Sequence, residues 1–199
     1  MISNETAHYR HHLVSEHLAA LARAAATAES LTPIVSGWGE RLAEVFAAGG
    51  RLFTCGNGGS ASEAQHLTGE LVGRFRNDRQ PLSAIALCAD SAATTAIMND
   101  YGVEDVFARQ VRAHGRPGDV LVAFSTSGTS ANVVAAAKAA LEIGVTVWAL
   151  TGPAPNPLAA LSDCAIPVDA ATVATVQEIH LAVVHALCIA LDDALGVPT

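Results

Sequence analysis

A glycine-rich turn followed by a His/Glu pair is the part of this chain best suited to chemistry. Residues 55–70 read CGNGGSASEAQHLTGE. This segment begins at the end of an apolar run, passes through a glycine-rich turn and continues as a polar helical segment. Backbone N–H groups at the N-terminus of a helix bind anions. His66 and Glu70 are four residues apart, so both side chains lie on one face of that helix. An anion cradle beside a potential base or metal ligand predicts chemistry on a small phosphorylated substrate.

A second polar loop lies further along the chain, where residues 125–130 read STSGTS. One interpretation is that Ser130 only caps the following helix, but capping needs one hydroxyl and this loop has five. Five hydroxyls around a glycine favour a cradle for phosphate oxygens. The loop lacks lysine, which indicates a phosphate that is held and not transferred. This pattern argues against a kinase.

The last predicted helix carries polar side chains within an apolar stripe. At 100° per residue, Gln177 and His185 fall on the same face as its apolar residues. Polar groups in such a stripe need partners, since burying them unpaired is costly. Glu178 and His180 fall towards the edges of the stripe, and we expect both to be solvated or interfacial.

Two other phosphate-binding motifs fit poorly. The glycine turn can be written Gly56-x-Gly58-x-x-Ala61, but the acidic residue expected about twenty residues on is missing, since Asp90 lies more than thirty residues after Gly58. The chain has no GxxxxGK[ST] motif, which excludes a P-loop. The tetrapeptide at 99–102, NDYG, is typical of a turn.

The elements that must position these residues alternate along the chain. Short apolar runs predict strands over 51–55, 84–88, 120–124, 145–150 and 165–168, and helical patterns cover 4–29, 33–48 and 172–195. Continuous apolar strands are buried on both faces, as in parallel sheets. The sequence therefore predicts an α/β fold with a doubly wound, five-stranded parallel sheet flanked by helices, built as one domain over 1–199 with a helical N-terminal extension over about 1–32. Both polar loops then follow the carboxyl ends of strands, where ligands bind in such sheets.

The composition of the chain limits the classes of molecule that we expect it to bind. The net charge is −8 with eleven basic residues, which argues against a nucleic-acid surface. No run approaches 18 uncharged apolar residues, so we expect no membrane span. Residues 1–5 lack the layout of a signal peptide, and we expect a cytoplasmic protein. The four widely spaced cysteines are expected to be buried free thiols.

Four segments together resemble a known family. They are CGNGGSASEAQHLTGELVGRF at 55–75, NDYG at 99–102, GRPGDVLVAFSTSGTSANV at 115–133 and VQEIHLAVVH at 176–185. This set is similar to the sedoheptulose-7-phosphate isomerases, also called phosphoheptose isomerases, which have the flavodoxin-like sugar-isomerase (SIS) fold. The likeness is colinear from about residue 38 to residue 190.

The resemblance implies an aldose–ketose isomerase that converts sedoheptulose 7-phosphate to D-glycero-D-manno-heptose 7-phosphate through a cis-enediol, for activated-heptose biosynthesis. It implies a homotetramer with sites shared between subunits and with the N-terminal helices in subunit contacts. One Zn²⁺ per subunit would be held by His66, Glu70, Gln177 and His185, and Glu70 and His185 would be the catalytic acid/base pair. The residues that the resemblance assigns to substrate binding are Asn57, Gly58, Gly59, Glu70, Asn99, Asp100, Ser125, Thr126, Ser127, Ser130 and Gln177. A Gln oxygen is a weak zinc ligand, so Gln177 could instead contact only the substrate.

The chain departs from the family at two places, and other functions stay open. Residues 151–157, TGPAPNP, replace a Gly-Gly turn of many relatives, and Thr175 stands where relatives usually have Arg. A different seven-carbon phosphate is therefore an alternative substrate. Non-catalytic proteins of the same fold are the rival class: a regulator resembling the replication initiator-associating protein, or a sugar-phosphate sensor. The regulator lacks the residues that correspond to Glu70 and His185, which favours an enzyme here.

Overall fold

The computed structural model describes residues 4–198, with side chains from residue 12 onward. Residues 1–3 and 199 are outside the described range. The predictions for residues 1–5 and for the ends of the 1–199 domain therefore fall partly on residues that are not described. The helices and strands are α1 Asn4–Ala28, a 3-10 turn Glu29–Leu31, α2 Thr32–Ala47, β1 Leu52–Cys55, α3 Gly59–Val72, β2 Ala84–Ala86, α4 Ser91–Tyr101, α5 Asp105–His114, β3 Val120–Ser125, α6 Ala131–Glu142, β4 Thr146–Thr151, α7 Pro157–Leu161, β5 Cys164–Pro167 and α8 Val173–Ala194.

The five strands form one parallel sheet in the order β2-β1-β3-β4-β5. This order confirms the predicted doubly wound fold and places the switch in strand order between β1 and β3. Leu52 pairs with Val120, and Ser125 at the end of β3 pairs with Thr151 at the end of β4. The glycine turn after β1 and the hydroxyl loop after β3 therefore leave adjacent strands at the same edge of the sheet.

Side chains alternate between two apolar cores, one on each face of the sheet. On one face, Leu52, Val122 and Trp148 pack against α2, α3 and α8, and Trp148 stacks on Trp38 with ring centroids 4.6 Å apart. On the other face, Phe53, with Leu121 and Ala123, packs against α5, α6 and α7. Because α3 and α6 lie on opposite faces, the two polar loops that precede them border one crevice.

Helix α8 matches its predicted bounds, since Thr172 is its N-cap and accepts a hydrogen bond from the Thr175 N–H. It packs against α2, α3 and α1. At the crossing with α2 a Cβ on Gly39 would lie 2.7 Å from Ala190, so this position requires glycine. By length and composition alone α8 could cross a membrane, yet 44% of its apolar stretch is buried in the fold.

The turn expected at 99–102 is corrected by the structure. Helix α4 continues through Asn99 and Asp100 to Tyr101, and the turn falls on residues 102–104, beginning at Gly102 with φ of 94°. Glycine adopts this backbone angle without strain. The Asp90 side chain caps the start of the helix by accepting from the Ala93 N–H, which extends the helix over the whole segment.

Candidate active site

The glycine turn brings backbone amides to the start of α3. Gly58 has φ of 55°, which favours glycine, and α3 begins at Gly59. A Cβ on Gly56 would lie 2.6 Å from the carbonyl oxygen of Ser60, so no side chain fits there. The first amides of α3 thus follow a turn in which three of the four residues, 56–59, are glycine, which suits an anion site at a helix N-terminus.

The hydroxyl loop after β3 is drawn together around Ser125. The Ser125 Oγ lies 3.0 Å from the Ser130 Oγ and 3.4 Å from the Ser127 Oγ, and it accepts from the Gly128 N–H at 3.1 Å. Ser130 stands at the N-cap position of α6, yet its side chain makes no capping hydrogen bond. The capping interpretation therefore fails, while the convergent hydroxyls and the left-handed Gly128, with φ of 63°, form a polar nest. Thr126, the remaining predicted binding residue of this loop, is half-buried beside it.

A reciprocal amide pair joins the two loops. The Asn57 Nδ2 donates to the Asn132 Oδ1, and the Asn132 Nδ2 donates to the Asn57 Oδ1, each at 2.9 Å. Both amides help to line a cavity of about 220 Å³, bordered also by Gly58 and Met98. Asn132 was not singled out from sequence, because its partner lies 75 residues away.

The second constellation is a cluster of three donor side chains from α3 and α8. The His66 Nε2 lies 2.9 Å from the His185 Nε2 and 3.2 Å from the Glu70 Oε1. The His66 side chain is 40% exposed and that of Glu70 22%, so the cluster is reachable from outside. Phe75 stacks beside His185 with ring centroids 5.8 Å apart. Glu70 also adds to burial in raising the pKa of the neighbouring Cys188 thiol to about 12.

This donor set fits a zinc ion. The ligand atoms of His66, Glu70 and His185 all lie within 4.8 Å of one another. Two imidazole nitrogens facing each other at 2.9 Å can share only one proton, whereas a cation between them would use both lone pairs. Two histidines and a carboxylate are ordinary zinc ligands with about 2.0–2.2 Å bonds, so the observed spacing suits one ion.

Gln177 lies nearer the glycine turn than the three clustered ligands. A Cβ on Gly59 would come within 2.4 Å of the Gln177 Nε2, which places this amide against the first residue of α3. It therefore borders the anion cradle, while the cluster lies about two turns further along α3. Its role as a fourth metal ligand or as a substrate contact stays a prediction.

Asn99 and Asp100 are exposed in the last turn of α4, and the Asn99 Nδ2 donates to the Asp100 Oδ1 at 2.8 Å. Within the described residues, no hydrogen bond joins either of them to the two loops or to the cluster. Their neighbour Met98 lines the same cavity as Asn57. Asn99 and Asp100 therefore follow a residue of this cavity in sequence, and among the described residues neither is hydrogen-bonded to the other candidate site residues outside this pair.

His180 is not solvated, which corrects the sequence-based expectation. It is fully buried and its Nε2 lies 3.1 Å from the Thr151 carbonyl oxygen. The helical wheel failed here because α8 is covered on more than one side, by α2 and α3. Glu178 is 36% exposed and pairs with His17 at 2.9 Å, as an interfacial residue should.

Arg79 connects the end of α3 to α8, next to the cluster, and the sequence did not predict this role. Its guanidinium donates to the carbonyl oxygens of Glu70 and Leu71 at 2.8 and 2.9 Å and to the Asp192 Oδ1 at 2.8 Å. Arg79 therefore satisfies carbonyls in the last turn of α3 and ties that helix to α8. No local pattern identifies it, because Asp192 is 113 residues away.

Comparisons with known proteins agree with this geometry. The SIS domain family model matches residues 16–152. The phosphoheptose isomerase of Streptomyces coelicolor is 66% identical over 158 residues, 79% of this chain and 68% of that protein. That of Rhodospirillum rubrum is 51% identical over 74% of this chain and 79% of its own length. The solved structure of the Neisseria gonorrhoeae phosphoheptose isomerase superposes with a TM-score of 0.85 at 41% identity, covering 92% of this chain and 98% of that one.

Proposed function

The chain belongs to the phosphoheptose isomerases, within the SIS domain family, and we propose that Glu70 and His185 carry its reaction, the conversion of sedoheptulose 7-phosphate to D-glycero-D-manno-heptose 7-phosphate. The observation that carries this assignment is the meeting of both side chains with His66 on α3, the helix that begins at the glycine turn. The phosphate is at C7 of the sugar and the reacting carbons are C1 and C2. A cradle and a reactive cluster about two helical turns apart suit the two ends of such a substrate.

The two loops hold the phosphate and nearby hydroxyls through amides and hydroxyl groups. We assign this binding to the residues that line them: Asn57, Gly58, Gly59, Ser125, Thr126, Ser127 and Ser130. Neither loop contains lysine or arginine, so the ester is held without a cation that would promote its transfer. We also assign to Gln177, which lies against Gly59, a contact with sugar hydroxyls between the loops and the cluster.

Isomerisation moves one hydrogen between neighbouring carbons. Glu70 removes a proton from C1 as the C1–C2 double bond forms. His185 gives the Nδ1 proton to the C2 oxygen, since its Nε2 faces His66 in the cluster, and the product of this step is the cis-enediol. The proton on the C1 oxygen then leaves to His185, and C2 receives a proton from Glu70, which leaves the aldehyde at C1. Each positioned acid or base typically contributes about 10²- to 10⁴-fold to such a step.

We propose one Zn²⁺ per subunit, held by His66, Glu70 and His185 with the Gln177 oxygen as the fourth ligand. When bound, the ion supplies Lewis-acid polarisation of the carbonyl. Two observations support a metal at this site. The three side chains offer metal ligands at suitable spacing, and without a metal the two facing imidazoles have only one proton to share. An amide oxygen in fourth place makes the metal exchangeable.

We further propose a homotetramer whose sites are completed by neighbouring subunits. Helix α1 exposes three large apolar side chains, Leu13, Val14 and Leu18, at 47%, 62% and 58%. A contiguous exposed apolar patch of this kind is typical of a surface that contacts another subunit. An apolar groove of about 390 Å³ runs between α2 and α8, with Leu31 and Ile189 among its walls.

Two exposed residues of α4 fit this shared arrangement. In this arrangement Asn99 and Asp100 contact the sugar from the exposed end of α4. Each subunit is one domain over residues 1–199, with a helical extension over about 1–32.

We place the enzyme in the cytoplasm, where phosphorylated sugars are retained. No nucleic acid or membrane partner is proposed.

Glu70→Gln is the direct test. It keeps the size of the side chain but removes the base, so kcat is expected to fall by about 10²-fold or more, while binding of the phosphate ester is nearly unchanged. In D₂O the wild-type product gains deuterium at C2, read by mass spectrometry and NMR. Glu142→Gln, which changes an exposed carboxylate on α6 that pairs with Arg112, is the matched control and keeps full turnover.

Two outcomes would contradict the assignment. Turnover that persists in Glu70→Gln shows that another group is the base. No turnover by wild-type protein fully loaded with zinc, across seven-carbon and six-carbon ketose phosphates, favours a regulator or a sensor.

A further inference from the structure

A second histidine–carboxylate pair is buried between α3 and α8, outside the residues assigned above. Glu63 is 7% exposed and His180 is fully buried. The His180 Nδ1 lies 3.7 Å from the Glu63 Oε2, within ion-pair distance but longer than a hydrogen bond. Neither atom has a hydrogen-bond partner among the described residues. Buried polar groups are rarely left this way, so the pair needs an explanation.

The protonation of His180 follows from its other contact. The Nε2 faces the Thr151 carbonyl oxygen at 3.1 Å, and since a carbonyl can only accept, this nitrogen carries a proton. A neutral ring then presents a bare lone pair on Nδ1 to the Glu63 oxygen. Two acceptors facing each other in a buried site repel, unless one proton lies between them.

The position of the pair connects it to the reactive cluster. Contacts between α3 and α8 follow the same order along both helices: Gly59 with Gln177, then Glu63 with His180, then His66 with His185. The two helices therefore run parallel, and the buried pair is the middle contact of the three. His180 also fixes α8 to Thr151, which pairs with Ser125 at the base of the hydroxyl loop.

We propose that Glu63 and His180 share one proton and act as positioning residues that hold α3, α8 and the end of β4 in register. A small rotation of the Glu63 side chain closes the gap to a hydrogen bond, as either a carboxylic acid facing an imidazole or a carboxylate facing an imidazolium. Through this contact the pair sets the separation of His66 from His185. The proposal rests on the proposed function for its kinetic consequence, but not for its structural one.

The matched variants are Glu63→Gln and Glu63→Met, which are similar in length. A glutamine amide can donate an N–H to the Nδ1 of neutral His180, so Glu63→Gln is expected to keep zinc affinity and kcat within about twofold of wild type. Methionine has no donor and leaves Nδ1 unpaired. Since a misplacement of about 1 Å can cost roughly 10²-fold in rate, Glu63→Met is expected to lose at least about tenfold in kcat with little change in KM.

Zinc affinity, measured by competition with a chromogenic chelator, is the readout that does not depend on turnover. We expect weaker zinc binding in Glu63→Met and wild-type binding in Glu63→Gln. If wild-type protein proves inactive, the proposed function fails, while this comparison still decides the present inference. Should Glu63→Met not fold, the double variant with His180→Leu removes both polar groups and is expected to fold with weakened zinc binding.

Three results would overturn the inference. Wild-type zinc affinity and kcat in Glu63→Met, or in the double variant, would mean that the pair positions nothing. Loss in Glu63→Gln as large as that in Glu63→Met would mean that no proton is shared.

Discussion

Replacing Arg79 tests how strongly the end of α3 depends on its tie to α8. The side chains of Arg79 and Asp192 are 5% and 10% exposed, with Nε and Oδ1 2.8 Å apart. Arg79→Ala leaves the Asp192 carboxylate buried without its partner and removes the donors from the Glu70 and Leu71 carbonyls. Removing one member of a buried pair costs about 3–5 kcal/mol, a large part of the roughly 5–15 kcal/mol that stabilises a domain.

The assay is urea unfolding of four proteins at one subunit concentration: wild type, Arg79→Ala, Asp192→Ala and the double variant. The double-mutant cycle is expected to give a coupling of about 2–3 kcal/mol. Arg79→Lys keeps the charge but loses the planar fork that reaches four acceptors, so its stability falls in between. Arg112→Ala is the matched control, because Arg112 and Glu142 pair at side-chain exposures of 48% and 61%, and surface pairs contribute about 0–1 kcal/mol.

An Arg79→Ala protein whose unfolding free energy lies within about 0.5 kcal/mol of the Arg112→Ala control would refute this reasoning. In that case water, and not the guanidinium, would satisfy the end of α3. A further consequence concerns activity. Because Glu70 supplies one of the carbonyls, kcat should fall together with stability in Arg79→Ala and recover partly in Arg79→Lys.

Three other predictions concern Gly59 and the two buried thiols. Gly59→Ala drives a methyl group into Gln177, so we expect weaker binding of inorganic phosphate by calorimetry while the far-UV circular dichroism is unchanged; unchanged phosphate affinity would show that Gln177 moves freely. Burial raises the pKa of the Cys55 and Cys188 thiols, so neither should react with a thiol reagent at pH 8 until the protein unfolds, and rapid labelling of the folded protein would contradict this. Because the thiols of the unfolded chain ionise near the ordinary cysteine pKa of 9.0 and these folded ones do not, the free energy of unfolding should fall as pH rises above about 9.

The sequence was sufficient for the sheet because its strands are apolar throughout. A run such as residues 120–124 favours burial on both faces, and with helical segments between the strands this pattern is typical of a parallel sheet. The positions of the two polar loops could be predicted by the same argument, since each loop directly follows the carboxyl end of a predicted strand. The hydroxyl cluster around Ser125 could therefore be predicted in place, although its internal contacts could not.

The errors and omissions arise where a partner is distant in sequence or a helix is covered on several sides. His180 was assigned to the edge of a single apolar face, whereas α8 is enclosed by α2, α3 and the end of β4. Arg79 and Asn132 have no local signature, because each takes its meaning from a residue 75 or more positions away. The role of Asn99 and Asp100 stays a prediction, because among the described residues neither is hydrogen-bonded to the two loops or to the cluster.

The separation of His66 and His185 by 119 residues determines when the site comes into existence. As the chain leaves the ribosome, the glycine turn and the first imidazole emerge long before the second imidazole is made. Until α8 docks, the first imidazole and Glu70 lack the partner that completes the cluster. The three-ligand cluster is therefore complete only in the finished fold, which would keep half-made chains from trapping the metal that we propose it holds.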